Sequence, residues 1–193
     1  MATHSRMEVL NAMYEVGLIP LFYHPDPKVA INVIEACAAG GARLVEFTNR
    51  GDFALEVFKV VKQHFMKADT SVILGAGSVN DPAIAAVYIM CGADFIVSQV
   101  LCPEVARVCN RRKIPYSPGC STLTELQTAE ELGCEIPKIF PGELLQPSFV
   151  KSIKGPSPWT NVMVTGGVEP TKESVHAWIQ AGASVLGMGS RLI

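Results

Sequence analysis

The feature that most restricts the fold of this sequence is a repeated order of elements, in which a short apolar run is followed by a helical pattern that ends at glycine. Glycine is favoured just past a helix C-terminus because it adopts the left-handed conformation without steric cost. Four predicted helices stop at Gly40, Gly92, Gly133 and Gly182, and a predicted strand begins soon after each. This alternation along the chain indicates an α/β fold with a parallel sheet.

Eight strands are predicted, at 17–22, 43–48, 71–76, 94–98, 114–117, 135–140, 161–165 and 184–187. A helix at 5–16 precedes them, and further helices are predicted at 28–39, 52–66, 82–90, 103–112, from Ser121 to Gly133, and at 147–154 and 170–180. This order predicts a (β/α)8 TIM barrel with an extra N-terminal helix, as a single domain over residues 1–193. An open doubly wound sheet ranks second, because no Gly-x-Gly-x-x-Gly follows the first strand.

The sequence stops at Ile193, which leaves no room for a helix after the eighth strand. The last helix of the barrel is therefore missing from this sequence. We expect either that the chain is trimmed there or that the N-terminal helix covers the gap.

The composition excludes several classes of protein. The net charge is −2 and no basic run exceeds three residues, so nucleic acid is not an expected partner. No apolar run approaches the roughly 20 residues that span a bilayer, and the N-terminus lacks the apolar core of a signal peptide. Six cysteines without a Cys-x-x-Cys pair suit a reducing compartment. We expect a soluble, cytoplasmic protein.

The four histidines lie far apart, without the spacing of metal ligands, so no metal site is predicted. His24, just after the first strand, is kept as a possible neighbour of a pocket.

The sixth predicted strand contains a cation among apolar side chains. Lys138 lies between Ile136 and Phe140, and all three share one face if the segment is extended. A lysine with a depressed pKa in such a place is a nucleophile that can form a Schiff base with a carbonyl group. The alternative is an edge-strand lysine whose ammonium reaches water.

A carboxylate is predicted on the inner face of the second strand. Glu46 shares its face with Leu44 and Thr48, whereas Val45 and Phe47 face the helix layer. If Lys138 also points inward, the two groups meet in one cavity. They form either a structural ion pair or a nucleophile with its general acid/base.

Glycine-rich loops follow the last two predicted strands. Gly166 and Gly167 follow the seventh, and Gly189 and Ser190 follow the eighth. In barrels of this type these two loops are the usual phosphate site, because backbone N–H groups can approach the anion closely. Glycine pairs also make ordinary tight turns. Ser78, after the third strand, is a further candidate for a substrate contact.

With these segments in view, the sequence resembles the class I aldolases of the 2-keto-3-deoxy-6-phosphogluconate (KDPG) and 2-keto-4-hydroxyglutarate (KHG) type, almost from end to end. The matching segments are 41–50, 75–79, 118–122, 138–141, 165–168 and 187–190. The most specific of them is a lysine followed by an apolar residue, Phe140 and Pro141.

The resemblance implies that Lys138 forms the Schiff base and that Glu46 is the general acid/base. It implies that Arg50, Ser78 and Thr165 hold the pyruvyl moiety, and that the phosphate is held by Gly166, Gly167, Gly189 and Ser190. It also implies a homotrimer without metal or organic cofactor. The expected reaction of this carbon–carbon lyase is reversible cleavage of KDPG, or a close relative, to pyruvate and glyceraldehyde 3-phosphate.

Some positions depart from the family pattern. Ser78 stands where threonine is frequent, and Gln99-Val100 stands where many members have Pro-Gly, which alters the expected pocket rim. The sequence does not decide whether the substrate has the gluconate or the galactonate configuration. It also does not decide whether the substrate is phosphorylated. Two other hypotheses are retained: another phosphate-binding barrel enzyme, an isomerase or synthase, and a non-catalytic sugar-phosphate sensor.

Overall fold

The computed structural model of the protein describes residues 2–68 and 71–193. The predicted domain of residues 1–193 therefore includes three positions, 1, 69 and 70, that lie outside the described residues. All strands of the described chain belong to one parallel sheet. The strands are β1 (Leu18–Phe22), β2 (Leu44–Thr48), β3 (Ile73–Gly77), β4 (Ile96–Val97), β5 (Tyr116–Ser117), β6 (Gly119–Cys120), β7 (Lys138–Ile139), β8 (Met163–Thr165) and β9 (Val185–Met188).

The sheet closes into a barrel, which confirms the predicted fold. Its strand order is β5-β4-β3-β2-β1-β9-β8-β7-β6, and β1 pairs in parallel with both β2 and β9. The two ends of this order, β5 and β6, are consecutive in the chain and separated by Pro118 alone. β5 lies within the predicted fifth strand, 114–117, whereas β6 lies beyond its predicted end, in a segment that was predicted as a turn. β5 pairs with β4, and β6 pairs with β7. Proline cannot donate to a ladder, which explains why the strand divides there.

Eight helices accompany these strands in the described part of the chain. They are α1 (Arg6–Val16), α2 (Pro27–Ala39), α3 (Ala54–Lys67), α4 (Pro82–Met90), α5 (Pro103–Arg112), α6 (Leu123–Glu131), α7 (Gly142–Lys154) and α8 (Lys172–Ala181). Helix α7 begins five residues before the predicted start at Pro147. Gln146 has the non-helical angles φ 63° and ψ 162°, so a short first helical segment precedes the one that was predicted.

Side chains alternate between two apolar cores, as the period of an extended strand requires. Val45 and Phe47 of β2 pack in the outer core with the helices, whereas Leu44 packs inside the barrel. The same division separates Ile139, which faces outward, from Ile136, which faces inward. The predicted parity of both strands is therefore confirmed.

Helix α1 closes the N-terminal end of the barrel. Ser5 caps it in a reciprocal capping box with Glu8, and Gly17 ends it in the left-handed conformation at φ 66°. Its buried residues Val9 and Met13 join the inner core. The residues that line the apolar groove between β1 and α2 do not include any residue of α1.

A buried ion pair connects several segments at the N-terminal end of the barrel. Lys62 of α3 donates to Asp94 at 2.5 Å, and both side chains are buried. Asp94 also accepts backbone N–H bonds from Leu74 and, at 2.8 Å, from Thr3. The carboxylate therefore joins the segment before α1, helix α3 and strand β3.

Replacing Asp94 by asparagine is expected to lower the free energy of unfolding by about 3–5 kcal/mol, because the Lys62 ammonium stays buried without its counter-charge. Urea unfolding monitored by circular dichroism measures the change. The matched control is Glu104→Gln, which breaks an exposed pair with Arg107 and should change stability by less than about 0.5 kcal/mol. Equal effects of the two substitutions would show that the buried pair contributes nothing particular.

Candidate active site

One large cavity lies at the C-terminal ends of the barrel strands, where barrels of this type place their active sites. Its volume is about 1260 Å³. The residues predicted from the sequence to form a site all line it: Glu46, Arg50, Ser78, Lys138, Thr165, Gly166, Gly167, Gly189 and Ser190. The structure thus brings the whole predicted set together, and the individual roles remain predictions.

Glu46 lies at the base of this cavity. Its side chain projects inward from β2 and only 3% of the residue is exposed. Gly77 on the neighbouring strand makes room for it, since a Cβ there would lie 1.7 Å from Glu46 Oε1. Within the described chain, Oε2 has no hydrogen-bond partner. Burial raises the pKa of Glu46, although the nearby Lys138 and Arg50 charges oppose the shift.

Lys138 lines the same cavity from β7 and is 6% exposed. Its Nζ lies 4.8 Å from the centre of the Phe140 ring, which covers the amine on one side. Burial lowers the pKa of Lys138; the Glu46 charge opposes this shift and the Arg50 charge adds to it. Burial therefore favours the neutral form of both groups, an amine able to attack a carbonyl and a carboxyl able to donate a proton.

Arg50 and Ser78 form a polar rim beside Glu46. Arg50 Nε donates to Ser78 Oγ at 3.4 Å, although Arg50 itself is exposed. Ser78 has φ 58°, an uncommon left-handed conformation for a non-glycine residue. The two residues follow neighbouring strands, β2 and β3, so their side chains meet above the carboxyl ends of those strands. A guanidinium with a hydroxyl beside it suits the carboxylate of a keto acid.

Three buried hydroxyl groups have no partner among residues 2–68 and 71–193, and two of them line the cavity. These two are Oγ1 of Thr48 on β2 and Oγ1 of Thr165 on β8, whereas the third, of Thr160, lies outside the cavity lining. Gly187 leaves space for Thr165, because a Cβ at position 187 would lie 2.1 Å from Thr165 Cγ2. A buried hydroxyl without a partner is costly, so these two groups are suited to bind a polar ligand.

The opposite side of the cavity is formed by glycine. Gly166 and Gly167 have φ 87° and 71°, conformations that L side chains rarely adopt. A Cβ at Gly167 would also lie 2.8 Å from Cα of Glu143, in the first turn of α7. The glycines therefore permit both the turn and its close packing, and they leave backbone groups of the loop beside the cavity.

Several lining residues extend the predicted set. His24 and Gln99 line the cavity, as expected for a pocket neighbour and for the rim. Tyr23, Glu143 and Arg191 line it too and were not proposed from the sequence. The available signal for Arg191 was its position, directly after Ser190 of a predicted phosphate loop. Tyr23 and Glu143 lie in loops whose path the strand pattern does not define.

In the described ranges 2–68 and 71–193, no group of three histidine, cysteine or carboxylate side chains is arranged to hold a metal ion. None of the helices in these ranges is long and apolar enough to cross a membrane.

Comparison with known proteins gives consistent matches. The model of a family described as KDPG and KHG aldolase matches residues 9–193. A 2-dehydro-3-deoxy-6-phosphogalactonate aldolase of Escherichia coli K12 is 36% identical over 180 residues, which are 92% of this chain and 85% of that protein. A 2-dehydro-3-deoxy-phosphogluconate aldolase of Pseudoalteromonas atlantica is 32% identical over 155 residues, 80% of this chain and 70% of its own length.

A solved structure extends this likeness to the fold. The crystal structure of a 4-hydroxy-2-oxoglutarate/2-dehydro-3-deoxyphosphogluconate aldolase from TTHB1 superposes with a TM-score of 0.83 and 29% identity. The match covers 95% of this chain and 88% of that one.

Proposed function

Because the chain belongs to the family of KDPG and KHG aldolases, we propose that it cleaves a phosphorylated 2-keto-3-deoxy sugar acid through a Schiff base on Lys138. The protein is a class I aldolase, a carbon–carbon lyase. The observation that carries the assignment of residues is the buried Glu46 carboxyl in the same cavity as the buried Lys138 amine.

The first stage forms the imine. The neutral amine of Lys138 attacks the C2 carbonyl carbon of the substrate, and the resulting carbinolamine carries a hydroxyl group. Glu46, whose pKa is raised by burial, gives its proton to that hydroxyl. Water leaves, the nitrogen lone pair forms the C=N bond, and Glu46 becomes a carboxylate.

The second stage breaks the C3–C4 bond. The Glu46 carboxylate removes the proton of the C4 hydroxyl, whose electrons form the carbonyl group of the departing aldehyde. The electrons of the C3–C4 bond form an enamine, and the iminium nitrogen accepts the charge. Glu46 then gives this proton to C3. Water hydrolyses the iminium to pyruvate and the free Lys138 amine, and the proton released returns to the Glu46 carboxylate, which restores its starting form. Atoms and charges balance, with one six-carbon acid giving pyruvate and glyceraldehyde 3-phosphate.

The remaining contacts position the substrate. We assign the carboxylate of the pyruvyl moiety to Arg50 and Ser78, which share a hydrogen bond at the cavity rim. Thr165 adds a buried hydroxyl that lacks a protein partner within the described chain. The phosphate is assigned to the glycine side, formed by Gly166, Gly167, Gly189 and Ser190.

Purified protein supplied with KDPG is expected to release pyruvate, which lactate dehydrogenase and NADH detect. The galactonate epimer and unphosphorylated 4-hydroxy-2-oxoglutarate are tested in parallel, because similar proteins carry all three names. The proposal requires that at least one phosphorylated acid is cleaved with a higher kcat/KM than the unphosphorylated one. Binding of these acids without pyruvate release would instead favour a sugar-phosphate sensor.

We also propose a homotrimer in the cytoplasm. The assembly rests on the family resemblance, and the location is supported by six unpaired cysteines, which suit a reducing compartment. Light scattering coupled to gel filtration tests the assembly, and a mass other than three times 20.8 kDa would contradict it.

A further inference from the structure

The side of the cavity formed by the glycine loops also contains a charged residue, Arg191, to which the proposed substrate contacts assign no role. Arg191 directly follows Ser190 beyond β9 and lines the cavity with the glycines. It donates a hydrogen bond to the carboxylate of Glu169, on the loop that follows Gly167 and Val168. The Arg191–Glu169 pair therefore connects the two loops that would hold a phosphate.

A phosphate monoester carries about two negative charges near neutral pH, and a cation beside the backbone N–H donors strengthens its binding. The other lysine and arginine residues that line the cavity are Lys138 and Arg50. The proposed reaction makes Lys138 part of the imine, and Arg50 contacts Ser78 at the rim beside β2 and β3. Within the described lining, Arg191 is the remaining strong cation and already lies at the glycine loops.

The hydrogen bond to Glu169 leaves other N–H donors of the Arg191 guanidinium available. A guanidinium has five N–H donors, and the hydrogen bond to Glu169 uses one nitrogen, Nη1. The two side chains are 63% and 45% exposed, so their pairing contributes little to stability. An arginine with free donors at the edge of an anion site is suited to bidentate binding of phosphate oxygens.

We propose that Arg191 is the residue that makes this aldolase prefer substrates with a terminal phosphate, by binding the phosphate dianion together with the backbone of the glycine loops. The inference rests on the proposed function and assigns substrate preference to a residue outside the predicted set. Arg191 takes no part in the bond-breaking steps, so its contribution lies in binding.

The test compares Arg191→Gln with the unchanged protein on KDPG and on its unphosphorylated counterpart. KM for KDPG should rise about ten- to a hundredfold, the effect of losing a charge-assisted hydrogen bond, while kcat changes little. Kinetic constants for the unphosphorylated acid should stay the same. Competitive inhibition by inorganic phosphate should weaken by a similar factor. The control is Arg107→Gln on α5, which also breaks an exposed pair with a glutamate but lies outside the cavity lining.

Two results would overturn the inference. One is an unchanged KM for KDPG in Arg191→Gln, and the other is an equal loss of activity with both acids, which indicates a structural role. Trapping of pyruvate by borohydride on Lys138 separates this failure from failure of the proposed function. If the variant and the unchanged protein are trapped equally, the aldolase chemistry is intact and only the role of Arg191 is in question.

Discussion

Replacement of Lys138 by methionine is expected to lower kcat by roughly four to six orders of magnitude, the scale of losing a covalent nucleophile. Methionine has a similar length and suits the apolar surroundings of Ile136 and Phe140, so the fold should persist. Without the amine no imine forms, and the C3–C4 bond has no electron acceptor. Pyruvate release from KDPG measures the loss, and circular dichroism checks the fold.

The matched control removes another lysine. Lys151 is exposed on α7, the helix that follows the Lys138 strand, and Lys151→Met should keep kcat within about twofold, as surface substitutions usually do. Substantial pyruvate release by folded Lys138→Met would contradict the Schiff-base mechanism, because methionine can neither form an imine nor carry a positive charge.

Replacement of Glu46 by glutamine is expected to lower kcat about a hundred- to ten-thousandfold, the usual contribution of a general acid/base. Glutamine has nearly the same shape and fits the space above Gly77, but it cannot exchange a proton with the carbinolamine or the C4 hydroxyl. Since Lys138 remains, pyruvate should still form the borohydride-trapped adduct, at a lower rate. Steady-state kinetics and timed trapping measure the two effects separately.

The control for this substitution is Glu104→Gln, an equivalent change on the exposed face of α5 that should leave kcat unaltered. If Glu46→Gln keeps kcat within about tenfold, proton transfer belongs to another group. If it abolishes trapping altogether while the protein stays folded, Glu46 is needed to form the imine and not only to speed it.

The catalytic end of the molecule was predictable because it depends on strand periodicity. Alternation along β2 and β7 placed Glu46 and Lys138 inside the barrel, and parallel strands bring their carboxyl ends to one side. Residues far apart in sequence, such as Arg50 and Ser190, therefore line one cavity. The family resemblance added roles that periodicity alone leaves open.

Other features depend on three-dimensional packing and were not predictable. The division of the fifth strand depends on which neighbour each half meets, and only the closed sheet defines that. The kink in α7 lies at Gln146, whose positive φ the sequence pattern does not indicate. The sequence places Arg191 beside a predicted phosphate loop, but only the folded chain brings Glu169 of another loop into contact with it.

The proposed mechanism requires a covalent bond between Lys138 and a keto acid, and borohydride trapping tests for this bond most directly. The protein is incubated with pyruvate and sodium borohydride, digested and analysed by mass spectrometry, with Lys138→Met treated in parallel. We expect one reduced pyruvyl adduct per chain, on the peptide that contains Lys138, and no adduct in the variant. The absence of an adduct on Lys138 in the folded protein would contradict the Schiff-base mechanism.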